Sequence, residues 1–228
     1  KKIYFRRESH LLRRYQTRFN KEVKLACLSE TDQRSLEKRY GYHHAFFLPC
    51  FLPWQQLKSR EGKGDYLLYH GNLTIAENEK AARWLIENLA DHLPQTLVIA
   101  GKGISKKLQA TAARYSTVRL INHPPEDELN ALIRDAHIHL LPSFNQTGVK
   151  LKLLNAVLNG RFCITNEEGV KGSGISECLH IKNTADEWIA TINELWPRPF
   201  SPVDMEKRKS VLDVYNNNRN AHLLSERW

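Results

Sequence analysis

The sequence predicts an α/β domain built on a parallel β-sheet with helices on both faces. Two observations predict it. From residue 65 onward, short runs rich in β-branched residues and leucine alternate with longer runs of helical periodicity. Strands separated by helices of about ten or more residues imply parallel crossover connections rather than hairpins. The bulk composition agrees, since 228 residues at 41% hydrophobic and 26% charged describe a soluble globular chain with ample core. No stretch approaches the roughly 18 consecutive apolar residues of a membrane span.

Residues 8–20 read as a helix with Leu11, Leu12, Tyr15 and Phe19 on one side. "EVKLACLS" (22–29) reads as a short buried strand. "SETDQRSLEKRYG" reads as a helix capped by Ser29 or Thr31 and stopped by Gly41. "HAFFLPCFLP" reads as a strand broken by two prolines, and "KSREGKGD" (58–65) as a charged linker. The regular alternation follows: strands at "DYLLYHG", "TLVIAG", "VRLINH", "HIHLLPS" and "RFCITN", with a further short strand in "GSGISECLHIKN". Between them lie helices at "ENEKAARWLIENLADHL", "SKKLQATAARY", "PEDELNALIRDA" and "TGVKLKLLNAVLNGRF", and "TADEWIATINELW" closes the series. Residues 203–228 read as one long polar helix.

The charge balance is +9, from 34 Lys and Arg against 25 Asp and Glu. It favours anionic partners such as phosphorylated small molecules, nucleic acid or an acidic membrane surface. No helix-turn-helix, zinc-finger or RNA-binding signature accompanies it, so specific nucleic-acid recognition is not expected. Cys27, Cys50, Cys163 and Cys178 are scattered and lie mostly in apolar runs, as core thiols of a reducing cytoplasm would. The ten histidines do not cluster. His137 and His139 share a strand face with no third ligand nearby, so no metal site is expected. The chain opens Lys-Lys without a methionine and no signal-peptide run follows, which reads as a trimmed or truncated cytoplasmic chain.

A parallel sheet of this kind binds ligands at the carboxyl ends of its strands. That filter leaves four candidates. "HGN" offers Gly71 for a tight turn and Asn72 as a hydrogen-bonding group. "AGKG" offers Gly101, Lys102 and Gly103, whose glycines would let backbone approach a ligand closely. It is no dinucleotide fingerprint, because Lys106 stands where a third glycine would be needed. "EEGVKGSG" offers Glu168 as an acceptor for sugar or ribose hydroxyls. The richest candidate is "LPSFNQTGVKLK", with Thr147, Gly148, Lys150 and Lys152 at a helix start. Two lysines at the positive pole of a helix are locally unfavourable. A phosphate-bearing ligand held by the helix N–H groups would make them tolerable. Both lysines are expected at the exposed start of the helix.

Taken together, residues 65–200 resemble the C-terminal, nucleotide-sugar-binding domain of a GT-B glycosyltransferase of the large retaining "group 1" class. "YLLYHGNL" resembles the segment that opens that Rossmann-like domain, and "TLVIAGKG" its second strand and turn. "VRLINHPPEDELNALIRDAHIHLLPS" and "TGVKLKLLNAVLNGRFCITN" resemble its more specific runs, in order and at matching distances. "VKLACLSETDQRSLEKRYGYHHAFFLPCFLP" resembles the end of the family's N-terminal domain. The resemblance implies four parts. Residues 1–57 would be a remnant of the acceptor-side domain and 58–64 a linker. Residues 65–202 would be the donor-binding domain, and 203–228 a helix returning towards the N-terminal part. The chain would lack most of the first domain.

The resemblance implies transfer of a hexosyl-type sugar from a nucleotide diphosphate to a glycan or lipid-linked acceptor, with no cofactor and no required metal. The diphosphate would lie against Gly71, Asn72, Gly101, Lys102, Gly103, Thr147, Gly148, Lys150 and Lys152. Asn155 and Glu168 would face ribose or sugar, and no catalytic residue is assigned. The sequence departs from the family pattern in two places. Asn72 and Glu77 stand where an Arg and a Lys often hold the diphosphate, and Thr147 and Asn155 where paired glutamates fall. Lys150 and Lys152 match the Arg and Lys of an "RLK" variant, so the diphosphate contact would move to that helix. Two rivals stay open: a non-catalytic sugar-nucleotide sensor on the same fold, and a basic nucleic-acid-binding α/β domain.

Overall fold

A computed structural model describes residues 2–145 and 148–227, with the side chain of residue 2 left out. The chain forms two compact units, one from Lys1–Leu52 with Tyr215–Trp228 and one from Pro53–Val214.

The first unit opens with helix α1 (Lys2–Arg18), which carries Tyr4, Phe5, Leu11, Leu12 and Tyr15 exposed to solvent. Strands β1 (Leu25–Cys27) and β2 (Ala45–Phe47) pair in parallel, with α2 (Glu30–Tyr40) as the crossover between them. The helix begins and ends where capping chemistry places it. The Ser29 side chain accepts from the Asp32 N–H, and Gly41, at φ 68°, donates back to Glu37 O. Cys27, Tyr42 and Ala45 form a small core with Leu25, Leu36 and Tyr40 packed against it.

The second unit contains the regular alternation. Its strands are β3 (Tyr66–His70), β4 (Thr96–Gly101), β5 (Val118–Asn122), β6 (Ile138–Leu140), β7 (Phe162–Thr165) and β8 (His180–Ile181). All pair in parallel, in the order β5-β4-β3-β6-β7-β8. The helices are α3 (Ala76–Leu89), α4 (Lys106–Ala112), α5 (Glu126–Asp135), α6 (Leu151–Asn159), α7 (Glu167–Val170), α8 (Ala185–Leu195), α9 (Pro202–Glu206) and α10 (Lys209–Val214). Helix α3 packs beside α4 and α8, and α5 beside α6, which covers both sheet faces. The central strands are therefore mostly apolar, with Leu67, Leu68, Ile138 and Ile164 fully buried. The strand order winds outward in both directions from β3 and β6. The crevice between those two strands is the topological switch point, where such sheets receive ligands.

Two expectations about the boundaries change. Residues 58–64 are not a loose linker but are fastened to the sheet unit. Lys58 N–H donates to Leu158 O, Ser59 Oγ to Val157 O, and Gly62 bridges Phe200. At Gly64 a Cβ would lie 2.3 Å from Asp135 O, so the glycine is needed for that close approach. The stretch 203–228 is not one helix but α9, α10 and α11 (Asn217–Arg227). Arg208 breaks the run by sending a buried guanidinium into the sheet unit. Asn216 begins the last helix by accepting from the Arg219 N–H. Leu151 is 52% exposed, because the core side of α6 runs through Leu153, Leu154, Val157 and Leu158.

The four cysteines are free thiols. His137 is structural: its Nδ1 accepts from Gly64 N–H, so Nε2 carries the proton and donates to Leu195 O. Among the described residues no helix is long and apolar enough to cross a membrane, and no group of three His, Cys, Asp or Glu could hold a metal ion.

Candidate functional site

Three chain segments meet at the carboxyl ends of β3, β4 and β6. After β3, Gly71 N–H donates to Ala100 O and Leu73 N–H to Lys102 O, so the first two loops interleave. Gly101 has φ 153°, and a Cβ there would stand 1.9 Å from Gly71 O. At Gly103, with φ 81°, a Cβ would stand 2.3 Å from Thr74 Cγ2. The two glycines thus make room for the neighbouring loop, where the sequence reading gave that room to a ligand. Lys102 is exposed, and its backbone oxygen holds the first loop in place. Asn72 Oδ1 accepts from both Thr74 N–H and Thr74 Oγ1, which closes an Asx turn. That leaves its amide Nδ2 with no hydrogen-bond partner among the described residues.

The third segment is the start of α6. Lys150 is its N-cap residue and makes no side-chain cap; its Nζ donates to Gly148 O at 3.0 Å. Gly148 has φ 68°, the left-handed conformation that glycine adopts without strain. Thr147 lies outside the described residues. Lys152 is not at an exposed start. Its ammonium is drawn inward, 3.1 Å from Tyr69 Oη and 2.9 Å from Asn78 Oδ1. Both partners are neutral, and among the described residues no carboxylate faces it. Burial and the neighbouring Lys150 charge lower its pKa from 10.5 to about 8.

Asn78 completes the arrangement by donating from Nδ2 to Asn72 O at 2.9 Å. It therefore joins the β3 loop to the α6 lysine. Sequence reasoning missed Asn78 and Tyr69. The one local signal was an asparagine in the first turn of α3, a weak helix former there. Behind them His70 and His139 are buried with ring centroids 6.0 Å apart. Burial holds both rings neutral, His70 down to about 3.

The remaining candidates are engaged in bonds of their own. Asn155 Oδ1 accepts from Asn159 Nδ2 at 2.7 Å, one helical turn on. Glu168 accepts from Asn166 Nδ2, whose amide also clasps Ser143 through N–H and C=O. Asn166 was likewise missed; it locks the loop after β6 to the start of α7.

A testable consequence concerns stability. Lys152 carries a lowered folded pKa, so its protonated form opposes folding fully below about pH 8 and ceases to do so above 10.5. The stability of the wild-type protein should rise relative to Lys152→Met across that window, by up to about 3 kcal/mol. Urea unfolding of both proteins at pH 7 and pH 10 checks it; a pH-independent difference would contradict the burial argument.

A doubly wound sheet with Lys150 and the half-buried Lys152 near its switch point, the latter bonded only to neutral groups among the described residues, defines a Rossmann-like α/β domain. Residues 64–197, more than half of the chain, match the family described as Glycosyl transferases group 1, and the chain belongs to that family. It is 30% identical over 131 residues to an uncharacterized 44.6 kDa protein in the cps region of Klebsiella pneumoniae, covering 53% of this chain and 34% of the relative. Among solved structures, the GtfA/B complex superposes with a TM-score of 0.66 at 20% identity, over 93% of this chain and 47% of that one. TarM of S. aureus, crystallised with UDP, fondaparinux and α-GlcNAc-glycerol, gives 0.64 at 12% identity, over 90% and 43%. The chain thus spans about a third of the curated relative and about half or less of these two structures. The structural likenesses establish the GT-B-type fold of this region.

Proposed function

We propose that this chain is the donor-binding part of a glycosyltransferase and holds the diphosphate of a nucleotide sugar at the β3–β6 switch point. One observation carries the reading. Lys152 keeps a half-buried ammonium beside the Gly71–Asn72 turn with two neutral partners and, among the described residues, no counterion. A buried cation is costly unless a negative group meets it, and a phosphate oxygen at this turn would be that group. Lys150 and the N-terminal end of α6 add to the positive potential. TarM, which shares the fold, was crystallised with UDP. The sugar would be passed to a glycan or lipid-linked acceptor. The chemistry asked of these residues is electrostatic, the stabilisation of a departing nucleotide diphosphate. It needs no metal.

Titration with UDP, ADP and GDP tests the reading. Lys150→Ala and Lys152→Met should each weaken the bound nucleotide by about ten- to a hundredfold, the loss of one charge-assisted contact of roughly 1.5–3 kcal/mol. Solvated lysines with no ligand role would leave affinity within about twofold, and that result would sink the proposal.

A binding module without turnover is the second reading. Asn155 stands where the family resemblance places a glutamate, and its side-chain oxygen is occupied by Asn159. A nucleotide-binding protein that releases no nucleotide from any nucleotide sugar offered with acceptors would favour this second reading.

A further inference from the structure

We propose that Asn78 is the positioning residue of this site, fixing the Lys152 ammonium against the β3 loop so that an arriving phosphate meets a pre-aimed cation. The inference rests on the nucleotide-diphosphate reading above, and adds a residue that neither motif nor composition marks.

The geometry is specific. The Asn78 amide faces two ways, with Oδ1 accepting from Lys152 Nζ and Nδ2 donating to Asn72 O. The opposite orientation would set an NH2 against an ammonium and an oxygen against a carbonyl, so the chemistry fixes the assignment. The Asn78 backbone oxygen in turn accepts from Tyr69 Oη at 2.9 Å, which anchors the start of α3 to β3. A lysine has four side-chain torsions and loses entropy when ordered. Here two neutral acceptors order it before any ligand arrives, and such pre-organisation raises affinity by cutting the ordering cost.

The residue type also matters. Aspartate would fit the same space, but its carboxylate would pair with Lys152 permanently and could not donate to Asn72 O. Asparagine supplies an acceptor without a charge. The ammonium therefore stays in place yet remains available to an anion. The charged and titratable groups facing Lys152 are few. Lys150 precedes it on the same segment, and Tyr69 and the neutral His70 face it from β3. From α3 it meets the Asn78 amide.

The test reads Lys152 directly. NMR of protein labelled at lysine Cε, with Lys152 identified by its loss in Lys152→Met, gives its titration in wild type, Asn78→Asp and Asn78→Ala. UDP affinity by calorimetry between pH 7 and 10 is measured on the same proteins. Asn78→Asp should move the Lys152 titration up by at least about one pH unit, as an opposite charge within contact does. The same change should weaken UDP by about tenfold or more at pH 7.5. Asn78→Ala should move the titration down and also weaken UDP by about tenfold. A merely structural asparagine would alter the melting temperature and leave the titration where it was. If Asn78→Ala fails to fold, Asn78→Ser, which also removes the amide acceptor without adding a charge, takes its place. An unchanged Lys152 titration in the folded variants overturns the proposal whatever UDP does. A titration that moves as expected in a protein that binds no nucleotide supports the positioning role and refutes the nucleotide reading.

Discussion

Arg208→Met is expected to destabilise the sheet unit by at least about 3 kcal/mol. The Arg208 guanidinium is buried and donates to Ser59 Oγ at 2.8 Å and to Val157 O and Gly160 O at 2.6 Å. It also donates to Arg161 O. Val157 and Gly160 lie at the end of α6, where the last carbonyls of a helix have no partner inside it. Arg208 therefore caps that helix from a segment some fifty residues away, with its cation at the negative pole.

Two effects oppose each other in the variant. Burial without a bonded carboxylate lowers the Arg208 pKa to about 10, so removing the charge recovers some desolvation energy. Against that, Ser59 Oγ, Gly160 O and Arg161 O lose this donor at roughly 1–3 kcal/mol each, while Val157 O keeps the Ser59 hydroxyl. The second effect wins. Lysine is no remedy, because one ammonium cannot spread over acceptors that a planar fork reaches together. Urea unfolding at pH 7 measures the change, and a loss below about 1 kcal/mol would show that water replaces the guanidinium at no cost. Since α6 also carries Lys152, nucleotide affinity should fall with stability in this variant. Arg161 repeats the device at the end of α5, donating to Arg134 O, Asp135 O and Ala136 O.

Gly101→Ala is the second large effect, expected to lower the melting temperature by roughly 10 °C. The new Cβ would meet Gly71 O at 1.9 Å, and the backbone at φ 153° is one that side-chain-bearing residues rarely adopt. Neither side can yield easily. Gly71 N–H is bonded to Ala100 O, and His70 and Ala100 are in register in the adjoining strands. Strain at such a backbone position is worth about 1–3 kcal/mol, and overpacking a similar amount. Gly71→Ala is the control, because its Cβ would find ordinary contacts, the nearest 3.7 Å away at Asn78. It should melt close to the wild-type temperature. A Gly101→Ala protein melting within about 2 °C of wild type would show that the interleaved loops separate freely.

The sequence by itself determined the alternation of strands and helices, and through it the parallel sheet. It also marked the helix boundaries at Ser29 and Gly41 around α2. These features are local: apolar periodicity, a capping side chain and a stop glycine act within a few residues, so a linear reading recovers them. It further marked Lys150 and Lys152 as misplaced charges, because the conflict with the helix pole is visible within one turn.

Tertiary structure alone decided what those charges meet. Lys152 and Asn78 are 74 residues apart, and nothing near either one announces the other. The same holds for Arg208 and the end of α6, and for Gly101 beside Gly71, whose close approach follows from strand register. Residues 58–64 looked like a linker for the same reason, since their hydrogen bonds go to the distant Leu158, Val157 and Phe200. A polar or glycine residue looks alike in sequence whether it faces water or a distant carbonyl. Only the fold settles which, because a buried donor, acceptor or cation finds its partner through space.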